Sequence, residues 1–161
     1  MDPWTFIAND HAAIVALFVG LGPLRAGDPA ERTKQCRALR LQVLAHAAME
    51  TNVFYPALTR HQGAGRLLAE AIEDHEEVER LLDELADERT AGRRWEITLF
   101  ALSALARQHF AKEDADIILM ARRVVGNANA QRRLLDRMIA ERNCFIEAAG
   151  AAADSTVSPA R

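Results

Sequence analysis

The stretch Leu44-Ala45-His46-Ala47-Ala48-Met49-Glu50, continued by Thr51-Asn52-Val53-Phe54-Tyr55-Pro56, decides the reading of this chain. It sets a histidine and a glutamate four residues apart in an alanine-rich segment of high helix propensity. On a helix such a pair stacks on one face and can grip one object together. The spacing recurs as His75-Glu79 and His109-Glu113, and a further histidine, His11, stands alone near the N-terminus.

Working outward, each of these residues falls on an apolar stripe at helical spacing. A first helix, capped by Asn9 or Asp10 and running to Leu24, carries Ile7, His11, Ile14, Phe18 and Leu21. Gly27-Asp28-Pro29 is a helix start, with Asp28 as N-cap, Pro29 at the first helical position and Glu31 in the first turn. The second helix runs from Pro29 to Leu58 with Cys36, Leu39, Val43, His46, Glu50 and Val53 on its stripe. Pro56 lacks an N–H and should kink or end it. His61-Gln62-Gly63-Ala64-Gly65 is a turn. A third helix, Arg66 to Arg89, carries Leu68, Ile72, His75, Glu79, Leu82 and Ala86. After Gly92, a fourth, Arg94 to Arg123, carries Trp95, Leu99, Leu102, Ala106, His109, Glu113 and Met120. A shorter fifth, Gln131 to Ala149, bears Leu134, Leu135, Met138 and Phe145, and residues 150–161 read as a disordered tail. The pattern predicts an all-α protein: one domain over residues 1–149, an antiparallel up-down four-helix bundle with a short additional C-terminal helix.

Composition agrees. The 161 residues are half hydrophobic with a net charge of −3. That balance lacks the basic footprint of a nucleic-acid binder. The start, Met1-Asp2-Pro3-Trp4, lacks the positive charge of a signal peptide. The apolar run Ala12 to Leu24 is too short to span a bilayer. Cys36 and Cys144 show no zinc or redox spacing and read as free thiols. These features predict a cytoplasmic protein, monomeric or weakly dimeric, without nucleic-acid or membrane partners.

The polar residues of the stripes share one level. In an antiparallel hairpin, residues at equal height are equidistant from the turn. His11 and His46 are centred on the Gly27-Pro29 turn. His46 and Glu79, like Glu50 and His75, are centred on Gln62-Gly63, and His75 and His109 on Gly92. Helix axes roughly 8–10 Å apart let such side chains meet. Buried unpaired, they would cost several kcal/mol in total. One His–Glu pair would read as a hydrogen-bonded core histidine. Three such pairs at one level, with His11, read as a metal site. His11, His46, Glu50, His75, Glu79, His109 and Glu113 are too many ligands for one structural zinc. Imidazole with bridging carboxylate suits iron or manganese, and bundle cores are where dinuclear carboxylate sites are built.

Over residues 7 to 123 this ordered set resembles the hemerythrin-like, or HHE cation-binding, family, most of all its actinobacterial branch. The likeness rests on Asp10-His11, on His46-x-x-x-Glu50 followed by Phe54-Tyr55-Pro56, on Asp74-His75-Glu76, and on His109-x-x-x-Glu113. It implies a non-haem centre of two iron ions bridged by an oxo or hydroxo group and by Glu50 and Glu113. His11 and His46 would then hold one iron, and His75 and His109 the other. Members of the family carry or sense dioxygen, respond to nitric oxide, sense iron, or decompose hydrogen peroxide. Hemerythrins proper have a histidine where this chain has Glu79, and place the last carboxylate one residue later, at Asp114. Helical geometry favours Glu113 over Asp114. Glu79, as a ligand, would add charge to the centre and take up a proton during catalysis.

The expected activity is catalase-like decomposition of hydrogen peroxide. Carriage or sensing of dioxygen or nitric oxide, and iron binding or sensing, are the alternatives. Tyr55 reads as a hydrogen-bonding neighbour of the site, with phenolate ligation the less favoured role. Asp10 and Asp74 are candidates to orient a ligand histidine. His61 reads as a surface residue; Trp4, Trp95, Phe18 and Phe100 read as core; and Glu73, Glu76, Glu77, Glu84 and Glu88 as a solvated face.

Overall fold

The computed structural model describes residues 1–26, 28–87 and 92–156, and among these there is no strand. Helix α1 spans Pro3–Leu21 and leads through a 3-10 turn, Gly22–Ala26, to α2, Pro29–Met49. The chain then passes through a π-turn, Glu50–Phe54, and a 3-10 turn, Tyr55–Ala57. Helix α3 spans Ala64–Ala86 and α4 spans Arg93–Lys112. A second π-turn, Glu113–Ile117, carries α4 into α5, Ile118–Val124, and α6 covers Ala128–Thr156. Helices α1 to α4 form the up-down bundle, each against its sequence neighbour and α4 against α1, while α6 lies along α2 and α1.

Local signals explain the boundaries. Helix α1 starts at Pro3 rather than near Asn9, because Asp2 caps it by accepting from the Thr5 N–H at 2.8 Å. This is the same Asp-Pro signal that starts α2, where Asp28 accepts from Ala30 N–H at 3.0 Å. The earlier start makes α1 with its following turn long and apolar enough, by length and composition, to cross a membrane. Its inward face nevertheless carries Asp10 and His11 into the bundle. Pro56 falls where α2 gives way. Gly63 precedes α3 at a φ of 89°, a left-handed conformation that favours glycine. Helix α6 continues to Thr156, past the expected end at Ala149. The alanine-rich segment after Glu147 has the strongest helix propensity available. The expected turn residue Gly27, the third-helix residues Glu88 and Arg89, and the tail beyond Thr156 lie outside the described residues.

The core is split into two apolar layers. One gathers Ile14, Phe18, Leu39, Val43, Leu82 and Trp95 with their neighbours; the other gathers Trp4, Ile7, Met49, Phe54, Leu68 and Met138 with theirs. The polar level lies between them. Burying each large side chain in these layers contributes on the order of 1.5–3 kcal/mol, which offsets the cost of a polar layer in the middle. Phe100 departs from the expected core and is exposed.

Candidate metal centre

Four helices deliver six side chains to this level. His11 comes from α1 and His46 from α2, with Glu50 opening the π-turn after it. His75 comes from α3 and His109 from α4, with Glu113 opening the second π-turn. Glu50 and Glu113 have no solvent exposure, and His11, His46 and His109 are buried. Both glutamates therefore begin a stretch where the helix widens by one residue per turn, a device common at functional sites.

The donor atoms converge on one another. Glu50 Oε2 lies 3.2 Å from His46 Nε2 and 3.3 Å from His75 Nε2. Glu113 Oε2 lies 3.1 Å from His11 Nε2 and 3.5 Å from His109 Nε2. His75 Nε2 and His109 Nε2 face each other at 3.0 Å. Each carboxylate thus stands between a histidine of the α1–α2 half and one of the α3–α4 half. Two groups with ligand geometry result: His11, His46, Glu50 and Glu113, and Glu50, His75 and His109, with Glu50 common to both.

Most of these approaches are close without being aligned as hydrogen bonds. His11 Nδ1 and Nε2, His46 Nε2, Glu50 Oε1 and Glu113 Oε2 are buried with no hydrogen-bond partner among the described residues. Each such atom costs on the order of 1–3 kcal/mol if nothing satisfies it. Metal–ligand bonds of about 2.1 Å meeting near right angles would place neighbouring donors about 3 Å apart, close to the separations found. The residues therefore fit a metal: converging lone pairs, nitrogen and carboxylate donors, and orphaned atoms that a cation would satisfy.

Electrostatics distinguish the members. Burial works against a charged His46, but the Glu50 carboxylate beside it and the hydrogen bond to Asp10 outweigh it and push the ring up to about 10. Burial would also raise Glu50, yet His46 and His75 hold it well below the usual carboxylate range. His109 is lowered, chiefly by burial, against the pull of Glu113 and Glu50.

A surrounding set of residues orients these side chains. His46 Nδ1–H donates to Asp10 Oδ2 at 3.0 Å; a carboxylate only accepts, so the proton sits on Nδ1 and Nε2 faces the centre. Asp74 Oδ2 lies 3.5 Å from His109 Nδ1 and 3.2 Å from Lys112 Nζ. Tyr55 is buried, stacks on His75, and donates its O–H to Glu113 Oε1 at 2.7 Å and more weakly to Glu50 Oε2 at 3.4 Å. Burial and then the two carboxylates raise its pKa well above the ordinary phenol. Its place five residues after Glu50 matches the π-turn repeat and brings it back over the same face. Phe110 stacks on His11 at 4.0 Å between centroids.

Glu79 departs from the expectation. It is exposed and stands outside both groups. The buried positions of α3 are Ala64, Leu68, Ala71, Val78, Leu81, Leu82 and Leu85. Apart from Leu81, which lies beside them, and with His75 between Ala71 and Val78, they alternate by four and three residues, the pattern of a straight seam. Val78 lies on that seam and Glu79 beside it, so the apolar residue took the interior. No π-turn follows Glu79, unlike Glu50 and Glu113. Asp114, the alternative to Glu113, is exposed and lies 3.8 Å from His11 Nδ1.

Two surface depressions reach the α3–α4 half. A cleft of about 320 Å³ between α2 and α3 is lined by Ala47, Ala48, Thr51, His75, Glu79 and Phe145 among others. A smaller one touches His109 and Glu113 beside Glu70, Asp74 and Asp116. Sequence reasoning missed Arg142, which reaches the site from α6, because α6 carries no member of the repeated pattern.

A family model described as the hemerythrin HHE cation binding domain matches residues 2–121. The crystal structure of a hemerythrin HHE cation binding domain-containing protein from Mycobacterium kansasii has a similar fold, with a TM-score of 0.79. The match covers 92% of this chain and 90% of that one at 21% identity. No match is found among curated proteins.

Proposed function

The chain belongs to the hemerythrin HHE cation-binding family, and from that premise we propose that it holds two iron ions and decomposes hydrogen peroxide. His11 and His46 would hold one ion and His75 and His109 the other, with Glu50 and Glu113 between. The observation that carries this reading is the pair of ligand groups sharing Glu50, with five buried donor atoms left without hydrogen bonds. An iron pair, when bound, supplies two-electron redox chemistry toward a small O–O molecule.

The chain's own residues do the rest. His75 is the ligand nearest the α2–α3 cleft, and Ala47 and Ala48 leave room there for a molecule of peroxide size. Tyr55 keeps its proton at Glu113 Oε1 and so holds a hydrogen-bond donor against both carboxylates. Phe110, packed on His11, keeps water from the α1–α2 side. Glu79 has no place in this scheme as a ligand. Overall, two peroxide molecules give dioxygen and two waters, so no outside reductant is needed. The two free cysteines suit a reducing cytoplasm, which we take as its location.

The same cleft supports a second reading, reversible binding of dioxygen or nitric oxide for carriage or sensing. Adding peroxide to iron-loaded protein at an oxygen electrode separates them. Sustained oxygen release supports the enzyme. A reversible spectral change under oxygen or nitric oxide without turnover would overturn it in favour of a binding protein.

A further inference from the structure

Helix α6 lies beyond the span of the family match, which ends at residue 121. Yet one of its side chains reaches to within one residue of the metal ligands. Arg142 Nη2 lies 2.8 Å from Asp10 Oδ1, and Arg142 Nε donates to Asp10 Oδ2 at 3.0 Å. That second oxygen is the one that accepts from His46 Nδ1. Arg142 Nη2 also donates to Gln42 Oε1, one helical turn before His46 on α2. Beyond the glutamate ligand, Asn52 Nδ2 donates to Glu141 Oε1 at 2.7 Å. Two neighbouring residues of α6 therefore grip α2 and the π-turn that follows it, on both sides of the His46–Glu50 pair, and one of them also fixes α1.

The geometry points to Arg142 as a positioning residue of the metal centre, acting through Asp10 on His46. The inference rests on the metal-binding reading above. The guanidinium fork meets Asp10 through two nitrogens, a planar arrangement that ammonium does not reproduce. Asp10 and Arg142 are both largely shielded, at 8% and 16% side-chain exposure, so solvent screens the pair little. With both its oxygens committed, Asp10 has one orientation, and the His46 ring has one orientation behind it. Arg142 removed, Asp10 would be free to turn toward water, and His46 would lose the fixed direction of Nε2. The α3–α4 half has a weaker counterpart in Asp74 and Lys112, where the histidine distance is 3.5 Å and Lys112 is 45% exposed. Helix α6 is thus a working part of the site rather than an external buttress.

The test compares Arg142→Ala, Arg142→Lys and Met138→Ala. Met138 lies one turn earlier on α6, is fully buried, and touches the apolar layer. Its truncation therefore loosens α6 without touching Asp10. The readouts are the rate of iron loss to a chelator and the visible spectrum of the loaded protein. Arg142→Ala should lose iron about 10–100-fold faster, the usual effect of removing a partner that orients a metal ligand, with a shifted spectrum. Arg142→Lys should recover part of the loss, and Met138→Ala should lower the melting temperature with the native spectrum and rate. A folded Arg142→Ala protein with native rate and spectrum would overturn the inference. So would equal iron loss in Arg142→Ala and Met138→Ala.

Failure of the metal reading itself is visible separately, as a native protein that takes up no iron. The metal-free chain then carries the test, through the Nδ1–H proton resonance of His46. That resonance should persist in the native chain and in Met138→Ala, and vanish by exchange with water in Arg142→Ala. Its persistence in Arg142→Ala overturns the inference.

Discussion

The two halves of the centre use the same ligand types in different settings. On the α1–α2 side His46 is 2% exposed, hydrogen-bonded to a buried Asp10, and lies beneath α6; His11 is stacked on Phe110. On the α3–α4 side His75 has 11% of its side chain exposed, and its Nδ1 has, among the described residues, a Thr51 hydroxyl at 3.4 Å. His109 has Asp74 at the longer distance of 3.5 Å, and both depressions that reach the centre open here. One half is built to hold a ligand set still. The other gives up some of that enclosure, and on the proposed function it is where a small molecule would arrive. A site that must both retain metal and exchange substrate can divide the two tasks between its halves.

The largest expected contrast is in stability of the metal-free chain. His46→Ala leaves Glu50 and Asp10 buried without their shared partner and should cost about 3–5 kcal/mol, as breaking a buried ion pair does. His75→Ala, at the more open half, should cost roughly 1–2 kcal/mol, nearer the median for point changes. Urea denaturation measures both. Equal costs would break the comparison.

A second contrast concerns pH. His46 is pushed up to about 10 in the metal-free fold, against about 6.5 in an unfolded chain. A raised folded value contributes stability that is fully present below about pH 6.5 and is lost as pH climbs through about 10. The metal-free protein should therefore lose up to about 1.4 kcal/mol per pH unit across that window. His109, lowered by burial, gives no such loss. Denaturation at pH 7 and pH 9 on native chain and His46→Gln checks the sign; a native stability that rises with pH would contradict it.

A third effect is kinetic. Ala48→Leu narrows the cleft before His75 without touching a donor atom. Azide should reach the iron-loaded centre several-fold more slowly in stopped-flow spectra, with iron content unchanged. An unchanged rate would move the access route elsewhere. The smallest effect belongs to Glu79→Gln. An exposed side chain outside both ligand groups should change iron content and peroxide rate by less than the scatter of assay. Loss of an iron equivalent in that variant would return Glu79 to the site.

These contrasts also show what was legible in the chain itself. The stripes of α1 and α2 read correctly because His11, His46 and Glu50 fall in phase with strongly apolar neighbours. Equal distance from the turns then placed four helices at one level, and the histidines and two glutamates meet there. On α3 the sequence pattern puts Ile72, Glu79 and Ala86 on the stripe, one residue out of phase with the buried Ala71, Val78 and Leu85, since positions three and four after His75 both lie near its face. Only packing decides between Val78 and Glu79. The π-turns after Glu50 and Glu113 carry no sequence signal of their own, yet they separate the glutamates that enter the core from the one that does not. Arg142 was illegible for another reason: its partner Asp10 lies on α1, and no local spacing relates them.

The central claim is a centre for two irons made by all four bundle helices. Metal analysis of protein produced with abundant iron, joined to an anaerobic iron(II) titration of the metal-free chain, tests it most directly. The account predicts about two irons per chain, with His46→Ala losing metal. One iron per chain, zinc in its place, or full iron retention in a folded His46→Ala protein would contradict it.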